Sequence, residues 1–310
     1  MNAPEKLALL PDIQSQVDNR DLRIDAVGIK NVCYPITIQV GERLLPTIAT
    51  ILMTVGLPAA TRGTHMSRFI ELLEAQTEAL NQAGFKMILL DILKRLGARS
   101  GSIEMRFPYF VRKAAPVSGA QSQVDYEVCW RGSVSNDGRY SFRMRATVPA
   151  TSLCPCSKEI SAYGAHNQRS HISIEAELAG EMAIEELIAI AERSASCEVY
   201  GLLKRSDEKY VTERAYDNPK FVEDLVRDIA LALNQEPRVG AYVVEVENFE
   251  SIHNHSAFAR IERTSEPLRS VRSGRGRGPY SVPRLGMRSK SRTGQLDKSR
   301  PRIVSKQCKG

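Results

Sequence analysis

Tyr126-Glu127-Val128-Cys129-Trp130-Arg131, then Asn136-Asp137-Gly138, then Tyr140-Ser141-Phe142-Arg143-Met144-Arg145-Ala146-Thr147-Val148 is the stretch that decides the fold class. Large apolar residues occupy every second position on both sides of an Asn-Asp-Gly turn. Alternation with period two is the signature of a strand with one face on a core, and Asp-Gly between two such runs marks a hairpin.

The same reading extends outward in both directions. On the N-terminal side, Ile103–Arg112 reads as a further strand, and Ile29–Val40 and Leu44–Val55 as two more. Between these pairs the period changes. Met66, Phe69, Ile70 and Leu73 recur at helical spacing behind Thr64, which is expected to cap the helix. A second helix is expected over Glu78–Leu96, broken or restarted near Gly84. On the C-terminal side Ser170–Leu178 reads as a strand. Ile184, Leu187, Ile188 and Ala191 mark an amphipathic helix. Asn218 as cap and Pro219 as first residue predict another helix, with Phe221, Val222, Leu225, Val226 and Ile229 on its apolar face. Strands follow from Arg238, through Tyr242, Val244 and Val246, and after Ser256. Strands, two helices and strands thus occur twice. That order argues α+β with antiparallel sheets rather than a doubly wound sheet. The expected organisation is a lead-in over 1–24, a first module over 25–150, a second over 151–263 and a tail over 264–310.

Composition sets bounds on function. The chain has 310 residues, 42% of them hydrophobic and 25% charged, ordinary values for a globular protein. No run of roughly 18 apolar residues occurs, so no spanning helix is expected. The first residues lack the basic start and apolar stretch of a secretory signal, and the expected location is the cytoplasm. The net charge of +7 comes from the tail: residues 264–310 hold 13 Lys/Arg against 2 Asp/Glu, which leaves −4 for the rest. A nucleic-acid reading therefore rests on the tail alone, through Arg275-Gly276-Arg277-Gly278, and predicts only non-specific, salt-sensitive contact. The tail is Arg, Ser, Gly and Pro with few apolar residues, and disorder is expected there. The six scattered cysteines do not suggest a disulfide framework in a reducing compartment.

Two short polar stretches hold four of the five histidines. One runs Cys154-Pro155-Cys156-Ser157-Lys158-Glu159 and on to Gly164-Ala165-His166-Asn167-Gln168-Arg169-Ser170-His171. The other is Glu250-Ser251-Ile252-His253-Asn254-His255-Ser256. Thiolate, imidazole and carboxylate together suit zinc or another first-row transition metal. A catalytic site would use about three protein ligands and leave a position for water. Cys156 reads as a small buried hydrophobe rather than a ligand. His255 reads equally as a hydrogen-bonding neighbour of a ligand, and His171 as a structural strand residue.

Five separated motifs give these residues a family. Pro11-Asp12-Ile13-Gln14, Arg62-Gly63-Thr64-His65-Met66-Ser67-Arg68, Thr151-Ser152-Leu153-Cys154-Pro155-Cys156-Ser157-Lys158, Gly164-Ala165-His166-Asn167-Gln168-Arg169 and Glu250-Ser251-Ile252-His253-Asn254-His255-Ser256 together resemble the type IB GTP cyclohydrolases. The resemblance runs from about Pro11 to Arg263, and the tail has no counterpart in it. It implies a tunnelling fold: two tandem modules of antiparallel sheet backed by helices, assembling into barrels in a homotetramer, with active sites between subunits. It also implies a reaction, hydrolysis of GTP to 7,8-dihydroneopterin triphosphate and formate, the first step of tetrahydrofolate and pterin biosynthesis, by metal-activated water attack at guanine C8.

The resemblance assigns roles as well. Cys154 and His166 would be catalytic, Cys154 as a thiolate ligand and His166 as a ligand or proton shuttle. Glu208, Glu250 and His253 would complete a site for a divalent zinc, manganese or iron. Glu223 would anchor the purine edge, since a carboxylate offers only acceptors to ring N–H and amine groups. Lys158 and Arg169 would bind the triphosphate, with Arg62 and Arg68 as further candidates. Two rivals stand beside this reading. One is a tunnelling-fold nitrile reductase with a cysteine nucleophile, which needs no His/Glu cluster and uses NADPH, for which no dinucleotide fingerprint occurs. The other is an RNA-binding protein acting through the basic tail.

Overall fold

The structure, a computed structural model, describes residues 12–264. Residues 1–11 of the expected lead-in lie outside the described residues. So does the segment 265–310, and with it the expectations of tail disorder and RNA contact.

The described chain is α+β. In chain order it forms β1 (Ile24–Val40), β2 (Arg43–Leu57), α1 (Ser67–Ala75), α2 (Gln82–Leu96), β3 (Gly101–Ala114), β4 (Gln121–Val134) and β5 (Tyr140–Leu153). Then come α3 (Pro155–Ile160), β6 (Asn167–Leu178), α4 (Ile184–Ser194), β7 (Cys197–Glu198), α5 (Arg205–Asp217), α6 (Val222–Gln235), β8 (Val239–Phe249) and β9 (Ala257–Arg263). Eight strands follow one another across a single sheet in the order β1-β2-β3-β4-β5-β6-β8-β9, and the two-residue β7 joins the end of β5. Neighbouring strands are antiparallel throughout. The position 150/151, expected as a module boundary, lies within β5. Among the described residues no helix is long and apolar enough to cross a membrane.

The opening stretch behaves as its alternation predicts. β4 and β5 pair with Trp130 opposite Met144 and Gly132 opposite Phe142, and Gly138 takes a left-handed φ of 80° in the turn between them. Phe142, Met144, Ala146, Val148 and Ala150 are buried on one face with the helices. Phe85 of α2 meets Trp130 and Phe142 edge-on at 5.9 and 5.7 Å, and Phe107 meets Trp130 at 5.6 Å. Such contacts add about 0.5–1.5 kcal/mol each beyond burial and set where α2 rests on the sheet. Gly132 is required there, because a Cβ would come within 2.9 Å of the Phe85 ring.

The other face of the same strands is ionic. Arg145 stands opposite Glu175, Arg143 opposite Glu177 and Glu104 opposite Arg131 across their strand pairs. Glu175 accepts from Arg145 Nε at 3.0 Å and Arg143 Nη1 at 3.4 Å. Burial raises the Glu175 carboxyl, but hydrogen bonds and charge from Arg145 and Arg131 outweigh it and hold it below the usual carboxylate range. A depressed folded pKa contributes stability that is present above the unfolded value of about 4.3 and is lost as pH falls through the folded value. Glu175→Gln should therefore lower Tm at pH 7 by on the order of 5 °C. It should also flatten the fall of Tm between about pH 5 and 3. Thermal melts across that range check both; a parallel shift with unchanged slope would contradict the assignment.

Several local expectations are corrected. Thr64 does not cap α1; the N-cap is Met66, which makes no side-chain cap bond, and Thr64 is buried. The buried face of α1 is Phe69, Leu72 and Leu73, while Met66 and Ile70 are exposed. The second helix starts at Gln82 because Leu80 is drawn into sheet-like contact, its N–H donating to Thr37 at 2.7 Å and its carbonyl accepting from Gln39 at 2.8 Å. Asn81 caps that helix by accepting from Gly84 N–H, and no break follows. Asn218 closes α5 instead of opening α6; its Nδ2 donates to the Ala195 carbonyl at 2.9 Å. The N-cap of α6 is Phe221, itself exposed. The helices α3 and α5 and the strand β7 are additions to the sequence reading.

Candidate active site

The candidate site begins where β5 ends. Leu153 is held on both sides: its N–H donates to Ser196 Oγ at 3.2 Å and its carbonyl accepts from Lys220 N–H at 3.1 Å. Cys154 then leaves the strand as the N-cap of α3, with Pro155 just inside the helix. Proline suits this position because its missing N–H has no intrahelical partner there. Cys154 is thus placed at a strand end by its backbone, with its thiol half-buried.

His166 returns to the same point after the α3 turn. Cys154 N–H donates to the His166 carbonyl at 3.3 Å. Ser157 N–H reaches Cys154 Sγ at 3.4 Å, Ser157 Oγ donates to the Cys154 carbonyl at 3.1 Å, and the same oxygen accepts from His166 N–H at 3.2 Å. His166 Nδ1 lies 3.1 Å from Ser251 Oγ. The two polar stretches, which start 96 positions apart at Cys154 and Glu250, therefore meet.

The remaining candidates are placed differently. Glu250 is half-buried, and His253 is exposed with its ring stacked on His255 at 5.1 Å. Glu208 is exposed on α5. Among the described residues no three His, Cys, Asp or Glu side chains come together as a metal-binding group. One chain therefore joins Cys154, His166 and the turn bearing Glu250 and His253, but does not gather all five candidates. Cys156 is exposed, which corrects the expectation of a buried hydrophobe: it sits on the outer side of α3, a helix with no buried residue. His171 is exposed on β6, edge-on to Phe249 at 4.8 Å.

The substrate-binding candidates also separate. Arg169 lines a cavity of 250 Å³ with Thr151, Asn167, Glu198, Tyr200 and Thr212. Glu198 in its wall is already matched, accepting from Tyr200 Oη at 2.7 Å and Arg214 Nη1 at 3.0 Å. Lys158 instead braces α3 on α5, its Nζ donating to the Tyr216 carbonyl and lying 4.3 Å from the Tyr216 ring centre. Glu223 is exposed in the first turn of α6, where the neighbouring Asp224 takes the capping role by accepting from Phe221 N–H at 3.0 Å. Arg62 is engaged with Gln16, and Arg68 donates to the Arg95 carbonyl at 2.8 Å. His65 Nε2 lies 3.4 Å from Asp12 Oδ2, so the first two motifs pair with each other.

Sequence reasoning passed over Asp207, the neighbour of Glu208. It is fully buried and accepts from Val117 N–H, Ser118 N–H and Lys204 N–H at 2.8 Å each and from Ser118 Oγ at 2.6 Å. Burial raises its carboxyl, but the Ser118 and backbone hydrogen bonds outweigh this and hold it well below the usual range. These bonds tie the start of α5 to the β3–β4 turn. The only sequence signal was an acidic residue in a first helical turn. Ser157 and Ser251 were likewise visible only as spacers inside motifs.

Comparison with known proteins gives the family. The family model described as type I GTP cyclohydrolase FolE2 matches residues 10–259. GTP cyclohydrolase FolE2 of Ralstonia nicotianae is 58% identical over 255 residues, covering 82% of this chain and 95% of that protein. The protein of the same name from Azoarcus sp. is 55% identical over 264 residues, covering 85% and 98%. Uricase from Arthrobacter globiformis, at 6% identity and a TM-score of 0.47 over 80% of this chain and 96% of that one, is too distant to carry an argument. With the matched region spanning every candidate residue of the site, the chain belongs to the type I GTP cyclohydrolase FolE2 family.

Proposed function

We infer that this chain is a GTP cyclohydrolase, converting GTP to 7,8-dihydroneopterin triphosphate and formate at the head of folate biosynthesis. The observation that carries the reading is the joined Cys154–His166 pair at the end of β5, with Ser251 of the third motif on the His166 ring.

A cysteine and a histidine whose backbones are joined directly and through Ser157 offer a thiol and an imidazole, donors that fit a borderline divalent metal such as zinc, manganese or iron. Cys154 and His166 would hold it, with Glu208, Glu250 and His253 as the remaining donors. When bound, the metal supplies water activated for attack on guanine C8. The alternative role for half-buried His166, in place of ligation, is to move protons during ring opening. Glu223 offers acceptors to the purine edge, and Arg169, facing the 250 Å³ cavity, offers its guanidinium to the triphosphate. Lys158 acts beside it by fixing α3.

Assembly into barrels as a homotetramer is part of the same reading. Among the described residues no strand lies beside the outer edge of β9, and the outer edge of the 17-residue β1 is met only by Leu80 at Thr37 and Gln39. A long open edge is a template for pairing with another copy. Ile160, Tyr163 and Ile252, beside the site, are exposed at 84%, 102% and 64%. A second copy would cover them and bring further donors to Cys154 and His166. The two-module organisation and a cytoplasmic location belong to this proposal. Light scattering should give about four times the chain mass of 34.5 kDa. A monomer at micromolar concentration would contradict it.

The activity itself is tested by incubating metal-stripped protein with GTP, adding back Zn²⁺, Mn²⁺ or Fe²⁺, and following formate and the fluorescence of the oxidised pterin. Both products should appear together on metal addition. Absence of formate with all three metals would sink the reading.

A further inference from the structure

We propose that Ser157 and Ser251 are positioning residues that hold Cys154 and His166 as one pre-organised donor pair. This rests on the reading of those two residues as metal ligands.

Ser157 touches both partners at once. Its N–H meets Cys154 Sγ at 3.4 Å, and its hydroxyl donates to the Cys154 carbonyl at 3.1 Å while accepting from His166 N–H at 3.2 Å. With the Cys154 N–H to His166 carbonyl bond at 3.3 Å, this closes a ring of contacts around two residues that lie twelve positions apart. A hydroxyl is suited to the central place because it donates and accepts through one atom. Alanine there would break two of the links together.

Ser251 acts on the ring. Its Oγ lies 3.1 Å from His166 Nδ1, which leaves Nε2 as the nitrogen for a ligand. A metal at Nε2 requires the proton on Nδ1, and a hydroxyl can accept it. Partners of this kind fix tautomer and ring orientation, and their loss typically costs 10–100-fold in metal affinity. Ser251 comes from the turn after β8, so it also couples the Glu250–His253 segment to the pair.

The experiment uses the full chain. Zn²⁺ affinity is measured by competition with a chromophoric chelator, and the Cys–Co²⁺ charge-transfer band is recorded on Co²⁺-loaded protein. Ser157→Ala and Ser251→Ala should each bind Zn²⁺ about 10–100-fold more weakly. Ser157→Thr and Ser251→Thr, which keep the hydroxyl, should recover most of the loss. The Co²⁺ spectrum should change in the alanine variants. Ser251 is exposed, so its alanine variant tests the idea even if Ser157→Ala fails to fold. Affinity within twofold of wild type in Ser251→Ala and in Ser157→Ala, with an unchanged spectrum in Ser251→Ala, would overturn the proposal. Cys154→Ala in the same assay separates the two levels. Zn²⁺ binding lost there but unchanged in the serine variants overturns the positioning role alone. Binding retained at wild-type affinity in Cys154→Ala overturns the ligand reading and the proposal with it.

Discussion

Cys154→Ala is expected to lower kcat/KM for GTP by about 10³-fold or more. Activation of water by a metal is worth several kcal/mol of barrier, and each 1.4 kcal/mol or so is a factor of ten. The loss should be chemical and not structural. The thiol is half-buried, and among the described residues its one hydrogen bond is the long contact from Ser157 N–H at 3.4 Å. The melting temperature should accordingly stay close to that of the wild type. Cys154→Ser should not restore activity, because a hydroxyl is a poor substitute for a thiolate ligand. Cys156→Ala, at an exposed position, should keep the rate within about twofold of wild type. Pterin fluorescence on metal-loaded variants reads all three. Full turnover in Cys154→Ala would remove this residue from the site.

Glu223→Gln is expected to reduce kcat/KM by about 10–100-fold with little change in Zn²⁺ affinity or Tm. Asp224 already performs the capping of α6, so the Glu223 carboxylate is not needed to hold the helix. Its exposure leaves both oxygens available to a ligand. A hydrogen bond to a charged group is worth about 1.5–3 kcal/mol, and glutamine replaces one acceptor by an amide that opposes the N–H groups of the purine edge. Steady-state kinetics with GTP beside a chelator titration makes the test. A proportional fall in metal affinity would place Glu223 with the ligands instead; unchanged kinetics would return it to the solvated helix surface.

The strands were legible in sequence because a sheet with one buried face writes its period directly into the chain. Tyr140 to Val148 alternate, and the buried residues are those the alternation selects. α4 was legible for the same reason, with Ile184, Leu187, Ile188 and Ala191 all buried. α3 was not, since it is six residues long with no buried face and hence no pattern. α5 was hidden similarly: only Asp207 and Ala215 are buried along it, one of them an acid. Helix starts failed where tertiary contacts override local signals. Leu80 is claimed by Thr37 and Gln39 of β1, and Asn218 by the carbonyls that follow α4.

By itself, the sequence determined the α+β class, the long strands along the chain and the residues able to do chemistry, because period and side-chain type are local properties. The tertiary structure decided which of those residues meet. It joined Cys154 to His166 through Ser157 and brought Ser251 to the imidazole. It turned Lys158 onto Tyr216 and left Arg169 facing a cavity. These outcomes depend on hydrogen bonds between segments far apart in the chain, whose geometry exists only once the sheet has set the strand ends side by side.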